Sequence, residues 1–90
     1  MVTVKFTNAL KRFYPDLAEC DLKVGKVQEV ITAIEEKYPG IKSYLVDDQG
    51  HLRKHVNIFV DGRMIEDRES LSDGLQTDSE VYIMQALSGG

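Results

Sequence analysis

The chain of 90 residues contains one cysteine, no tryptophan and two prolines. A disulfide needs two cysteines, so Cys20 cannot form one within the chain, and a cysteine-rich metal site is excluded. No stretch approaches the roughly 20 apolar residues of a membrane-spanning helix. In the opening residues, MVTVKF, apolar side chains alternate with polar or charged ones, whereas a secretory signal has a continuous apolar run. We therefore expect no membrane association and a location in the cytoplasm, a reducing compartment.

An excess of basic residues is also missing. Lysine and arginine number 11 against 15 aspartates and glutamates, for a net charge of −4. This balance disfavours nucleic acid as a partner, because phosphate-binding proteins need the opposite sign, and it favours a basic protein surface. A domain of this size buries only about 60–65% of the surface of its unfolded chain. A deep catalytic cavity would be difficult to fit, so we do not expect an enzyme.

The spacing of apolar residues predicts one helix and five strands. Val27, Val30, Ile31 and Ile34 recur at the spacing of one helical face, and Pro39-Gly40 ends that helix. Apolar and polar residues alternate in the strands, and Asp61-Gly62 predicts a tight turn after the third. The predicted strands span residues 2–6, 20–24, 56–60, 64–65 and 80–86, and the predicted helix spans residues 26–38.

This order of elements predicts an α+β fold, the ubiquitin-like β-grasp, with a mixed sheet and one main helix packed on one face. We expect one domain over residues 1–86 and a flexible tail over residues 87–90. The inward-facing positions of the helix and strands should form the core. They are Val4, Phe6, Leu22, Val27, Val30, Ile31, Ile34, Val56, Ile58, Val60, Val81 and Ile83.

The sequence ends in Leu87-Ser88-Gly89-Gly90, directly after the last predicted strand. At an average glycine content near 7%, two terminal glycines occur by chance in only about 0.5% of chains. The plain alternative is a frayed end, as is usual for termini. Glycines lack Cβ, so such a tail could thread a narrow channel in another protein. Five residues, 86–90, reach up to about 17 Å at ~3.4 Å each.

With this tail, the sequence resembles the ThiS/MoaD family of small ubiquitin-like sulfur carriers. The resemblance covers the whole chain: the VTVKF strand, the helix VQEVITAIEEKYPGI, the segment VNIFVDG, the last strand and the terminal SGG. The longer insertion before VNIFVDG is most similar to the branch that serves cysteine synthase. Thiazole, molybdopterin and cysteine synthesis are all served by such carriers, and the residues do not identify the pathway.

The resemblance implies a protein cosubstrate acted on by partner enzymes. An E1-like enzyme would adenylate the carboxylate of Gly90, using ATP and Mg²⁺ that the carrier itself does not bind. Sulfur transfer would then give a thiocarboxylate, which donates its sulfur to a synthase. Two alternatives stay open: a modifier joined to lysines through Gly90, and a non-covalent ubiquitin-like interaction module. The carrier and the modifier both need Gly89 and Gly90, whereas the interaction module does not.

Alternation on two strands predicts a second functional feature. Where Ile58 faces inward, Phe59 must face outward. On the last strand Val81 and Ile83 face inward, so Tyr82 and Met84 face outward for the same reason. We expect these three side chains to form an exposed apolar surface for a partner, similar to the one through which ubiquitin-fold proteins dock on E1-like enzymes. The alternative is a register shift of one residue, which would put Phe59 in the core.

Three other features are weighed and set aside. Cys20 lies beside Glu19 and Asp21, and nothing there favours the lowered thiol pKa of a reactive cysteine. His51 and His55 are four residues apart, but in a predicted loop, where the spacing of helical metal ligands does not apply. We predict no metal site. Arg53 and Lys54 form a small basic cluster that fits a solvated edge or the rim of a partner site better than a phosphate site.

Overall fold

A computed structural model describes residues 1–85 of the chain. It contains five strands and three helices, in mixed order. The strands are β1 (Val2–Phe6), β2 (Cys20–Leu22), β3 (Val56–Val60), β4 (Arg63–Met64) and β5 (Glu80–Gln85), and the helices are α1 (Asn8–Lys11), α2 (Val27–Lys37) and α3 (Lys42–Leu45). The predicted tail, residues 87–90, lies outside the described residues.

The five strands form one mixed sheet in the order β2-β1-β5-β3-β4. β1 and β5 are parallel, and the other pairs are antiparallel. The last strand in sequence therefore occupies the centre of the sheet. A parallel pair needs a long crossover, and the whole of α2, α3, β3 and β4 lies between β1 and β5 along the chain. This is the predicted α+β architecture, a β-grasp.

Helix α2 lies on one face of the sheet and supplies much of the core. Val27, Val30 and Ile34 are fully buried, as the apolar spacing predicts. The helix ends at Lys37, followed by Tyr38, and Gly40 takes a φ of +97° that favours glycine. All but two of the predicted core positions are buried, and the exceptions, Leu22 and Val60, are partly buried and packed against the core.

The two short helices, α1 and α3, were not predicted from the sequence. α1 follows β1 directly and buries Ala9 and Leu10, and α3 buries Leu45. Each has only four residues, so neither shows a helical period in the sequence. α1 contacts β5, and α3 contacts α2.

Candidate functional site

The outward face of the sheet carries a row of side chains that crosses four strands. Lys5 on β1 pairs with Tyr82 on β5, Tyr82 with Phe59 on β3, and Phe59 with Met64 on β4. One step further along β5, Met84 pairs with Asn57. Because side chains at paired positions lie on the same face, the structure brings Phe59, Tyr82 and Met84 together, as predicted.

The three residues differ in exposure. Tyr82 and Met84 are 37% and 39% exposed, and Phe59 is half-buried. Together with Gly62 and Glu80, they line an open depression of about 220 Å³. We call Phe59, Tyr82, Met84 and Met64 the apolar face. An exposed patch of aromatic residues and methionine is the composition enriched in protein interfaces.

Met64 also belongs to this surface, although the sequence-based prediction did not include it. Its side chain is 50% exposed and lies opposite Phe59, so it extends the apolar face to the sheet edge. The signal was the Asp61-Gly62 turn, which fixes the pairing of the residues on either side. Asp61 and Gly62 have φ of 52° and 85°, the left-handed conformations that a two-residue hairpin turn requires.

The Asp61 side chain also joins this turn to the start of β5. Its carboxylate accepts hydrogen bonds from the Ser79 hydroxyl at 3.0 Å and from the Glu80 backbone N–H at 2.9 Å. The Asp61 N–H in turn donates to the Glu80 carbonyl at 2.8 Å. These bonds hold β3 and β5 in the register that sets Phe59 against Tyr82.

One ion pair borders the apolar face. Lys5 Nζ lies 3.3 Å from Glu80 Oε2, and both side chains are exposed. Such a surface pair contributes at most about 1 kcal/mol to stability. Its position beside Tyr82 gives the apolar face a charged margin of both signs. A partner would therefore meet an apolar centre with a polar rim, as in ordinary protein interfaces.

The end of β5 is held from both sides. The Gln85 N–H donates to Thr7 Oγ1 at 3.3 Å, and the Thr7 N–H donates to the Ile83 carbonyl at 3.1 Å. On the other side, Gln85 pairs with Val56 of β3. The Gln85 Oε1 atom is buried and accepts no hydrogen bond within residues 1–85. The strand is thus anchored up to Gln85, five residues before Gly90.

Leu87, Ser88, Gly89 and Gly90 lie outside the described residues, so their predicted role stays a prediction. Cys20 is half-buried on β2, and burial is the main cause that raises the pKa of its thiol, although Lys37 acts in the opposite direction. A raised pKa leaves less of the reactive thiolate at neutral pH. The expectation that Cys20 is not a reactive centre stays a prediction.

The two histidines lie apart from the apolar face. The His51 N–H donates to Asp47 Oδ1 within a turn, and His55 is exposed just before β3. Among residues 1–85 there is no group of three or more histidine, cysteine or acidic side chains placed to hold a metal ion. No helix in that range has the length and apolar character needed to span a membrane.

A sequence profile of the ThiS family matches residues 4–90. The chain belongs to the ThiS family. This confirms the resemblance to the ThiS/MoaD ubiquitin-like sulfur carriers, and the family's members are small carrier proteins.

Two solved structures and one curated relative are similar to this chain. CysO from Mycobacterium tuberculosis is 25% identical with a TM-score of 0.81, over 97% of this chain and 100% of that one. A chain of the BexX/CysO complex from Amycolatopsis orientalis is 24% identical with a TM-score of 0.83, over the full length of both. Small archaeal modifier protein 3 from Haloferax volcanii is 27% identical over 64 residues, 71% of this chain and 68% of that protein.

Proposed function

We propose that this protein is a sulfur carrier whose Gly90 carboxylate is activated by an E1-like enzyme and converted to a thiocarboxylate. The observation that carries the proposal is the match to the ThiS family through residue 90, on a β-grasp whose last strand is anchored up to Gln85. Residues 86–90 reach up to about 17 Å beyond that anchor. Gly90 could therefore enter a partner's active site while the folded domain stays outside.

The chemistry proceeds in two displacements. A carboxylate with a pKa of roughly 3.3–3.7 is ionised at neutral pH and resists nucleophiles. Attack of a Gly90 oxygen on the α-phosphorus of ATP would give an acyl-adenylate and release pyrophosphate. Hydrosulfide from a sulfur donor would then add to the acyl carbon and displace AMP, leaving the thiocarboxylate. ATP and Mg²⁺ belong to the activating enzyme in this scheme.

The apolar face is proposed as the surface that docks on the activating enzyme. Phe59, Tyr82 and Met84 lie on two central strands that are fixed by backbone pairing, so the surface is formed before binding. A sulfur-accepting synthase would use the activated tail in turn. The complex of CysO with BexX supports the expectation that such carriers work in contact with a partner protein. We expect the protein to act in the cytoplasm.

A second candidate is a protein modifier. It is favoured by the similarity to a protein named as a small archaeal modifier. The adenylation step would be the same, but a lysine amine would displace AMP and form an isopeptide bond. The nucleophile that attacks the acyl carbon, sulfide or amine, therefore separates the two functions.

The decisive experiment is mass spectrometry of the protein purified from its native host. Replacing oxygen by sulfur has the same nominal mass as oxidising a methionine, and Met84 lies near Gly90, so the intact mass is not enough. The C-terminal peptide is alkylated with a thiol-selective reagent and fragmented, with Cys20→Ser protein as the control for cysteine labelling. A label on Gly90 supports the carrier, and an isopeptide bond from Gly90 supports the modifier.

Deletion of Gly89 and Gly90 tests whether activation requires the two terminal glycines. Because β5 ends at Gln85, the truncated protein should keep the melting temperature of the full chain. We expect it to lose all adenylation. A free Gly90 carboxylate after incubation of the full chain with the activating enzyme, ATP, Mg²⁺ and sulfide would contradict the proposal and favour a non-covalent interaction module.

A further inference from the structure

Beside the end of β5, the fold assembles three segments that are far apart in sequence. Thr7, which bonds to Gln85, leads into residues 8–13. The Phe13 ring stacks on the Tyr44 ring with centroids 4.9 Å apart. Next to Tyr44, the Ser43 carbonyl accepts a hydrogen bond from Arg53 Nε at 2.9 Å. Val56, three residues further, pairs with Gln85, which closes the chain of contacts.

These segments carry positive charge only. Residues 8–13, 41–46 and 53–57 include five of the 11 basic residues of the chain and none of its 15 acidic residues. The five are Lys11, Arg12, Lys42, Arg53 and Lys54. The three segments beside the end of β5 therefore carry a net positive charge, although the protein as a whole has a net charge of −4.

Two of the five are close to acidic groups. Lys42 is near Glu35, and Arg53 is near Asp47, where each helps to lower the pKa of its neighbouring carboxyl group. Lys11, Arg12 and Lys54 are exposed. Within residues 1–85 the one salt bridge joins Lys5 to Glu80, so these three cations have no ion-pair partner there. We call Lys11, Arg12 and Lys54 the basic rim.

We propose that the basic rim binds an acidic surface of the enzyme that activates Gly90, around the entrance to its active site. The inference rests on the proposed function and adds the chemistry of the contact. The net charge of −4 led us to expect a basic partner surface. For this part of the molecule, the proposed partner surface is acidic instead. The acidic remainder of the chain would be repelled by the same surface, so the charges would orient the domain with its tail towards the enzyme.

A nucleotide phosphate fits the basic rim less well than an acidic protein surface. The rim cations come from the end of α1 and from the segment before β3, and the neighbouring depression lined by Lys42, Ser43 and Arg53 includes none of them. The reacting carboxylate can lie up to about 17 Å beyond Gln85. The rim would then be at the mouth of the active site rather than beside ATP.

The test uses the full-length chain with the E1-like adenylating enzyme of the same organism. The variant is Lys11→Glu with Lys54→Glu. The matched control is Lys23→Glu with Lys26→Glu, which changes the net charge equally at two exposed positions between β2 and α2. ATP–pyrophosphate exchange gives the KM for the carrier and, separately, for ATP, at about 50 mM and about 500 mM salt. Melting temperatures check that each variant is folded.

We expect the rim variant to raise the KM for the carrier about tenfold at low salt, with kcat and the KM for ATP unchanged, while the control stays within about twofold of wild type. High salt should reduce the difference, since it screens exposed charges. An equal effect in the control, an unchanged carrier KM in the rim variant, or a change in the KM for ATP alone would each overturn the inference. Inactive wild-type protein would instead count against the proposed function.

Discussion

Phe59 and Tyr82 lie directly opposite each other on β3 and β5, on the face of the sheet that α2 does not cover. Paired positions on adjacent strands bring side chains close enough to pack as one unit. Neither ring is buried in the core, and Tyr82 is 37% exposed. The pair therefore forms the centre of a surface that another protein can contact without any rearrangement of the sheet.

Tyr82→Ser should weaken docking on the activating enzyme. Loss of an aromatic anchor from the centre of an interface commonly costs more than ~1 kcal/mol, and each 1.4 kcal/mol is a factor of about ten. We expect the KM for the carrier to rise about tenfold in pyrophosphate exchange, with the melting temperature little changed. Gln28→Ser, on the exposed side of α2, is the control. An unaltered KM for Tyr82→Ser would show that the enzyme docks elsewhere.

Gly40→Ala should destabilise the fold by about 1–3 kcal/mol. The residue has a φ of +97°, and an added Cβ would lie 2.8 Å from the Tyr14 hydroxyl oxygen. Gly50→Ala is the matched control, because Gly50 has a φ of +84° with nothing within 4 Å of the Cβ position. Urea unfolding should therefore give a larger loss for Gly40→Ala. Equal losses would mean that Tyr14 moves aside and that only backbone strain matters.

Asp67→Asn should lower stability at neutral pH but not in strong acid. The Asp67 carboxylate accepts hydrogen bonds from the Ser70 N–H at 2.9 Å and from the Ser72 hydroxyl, and these lower its pKa from 3.8 to about 2. A lowered folded-state pKa stabilises the protein above the unfolded value, and this contribution is lost as pH falls from 3.8 towards about 2.

The measurement is the melting temperature of wild type and Asp67→Asn between about pH 7 and pH 2. The gap between them should be widest above about pH 5 and should close in acid. Asp78→Asn, which removes one exposed carboxylate from the following loop, is the control for the loss of one negative charge. A gap that is constant over this range would show that the effect of the amide is unrelated to charge.

Cys20→Ser should leave activation of Gly90 intact. The side chain is half-buried at the edge of the sheet, and burial raises the pKa of its thiol, which disfavours the nucleophilic thiolate. We expect kcat and KM in pyrophosphate exchange to match wild type within about twofold, a difference of only ~0.4 kcal/mol. Loss of sulfur transfer in Cys20→Ser, with adenylation unchanged, would instead identify Cys20 as a sulfur acceptor.

The main elements of the fold could be predicted because each follows from a local pattern. The helix around Val30 and Ile34 and the alternation around Ile58 and Ile83 depend only on neighbours in sequence. α1 and α3 were not predicted, because four residues carry no helical period. The Asp61-Gly62 turn was predicted correctly, since only a few residue types accept its backbone conformation.

Features that depend on tertiary contacts could not be predicted. Nothing in the sequence indicates that the Glu35 carboxylate accepts hydrogen bonds from the N–H groups of Gly40 and Lys42, at 2.9 and 2.8 Å. The basic rim joins residues 11–12 to residue 54, which only the folded chain brings to the same end of the sheet.

The central position of β5 has a mechanical consequence. A partner that grips the tail pulls on Gln85 along the axis of β5, which is hydrogen-bonded to β1 on one side and to β3 on the other. A force in this direction acts on the backbone hydrogen bonds of both strand pairs, β1–β5 and β3–β5. These bonds share the force and must break together. An edge strand such as β2 would resist with one ladder. A partner that holds the tail should therefore not unravel the domain from that end.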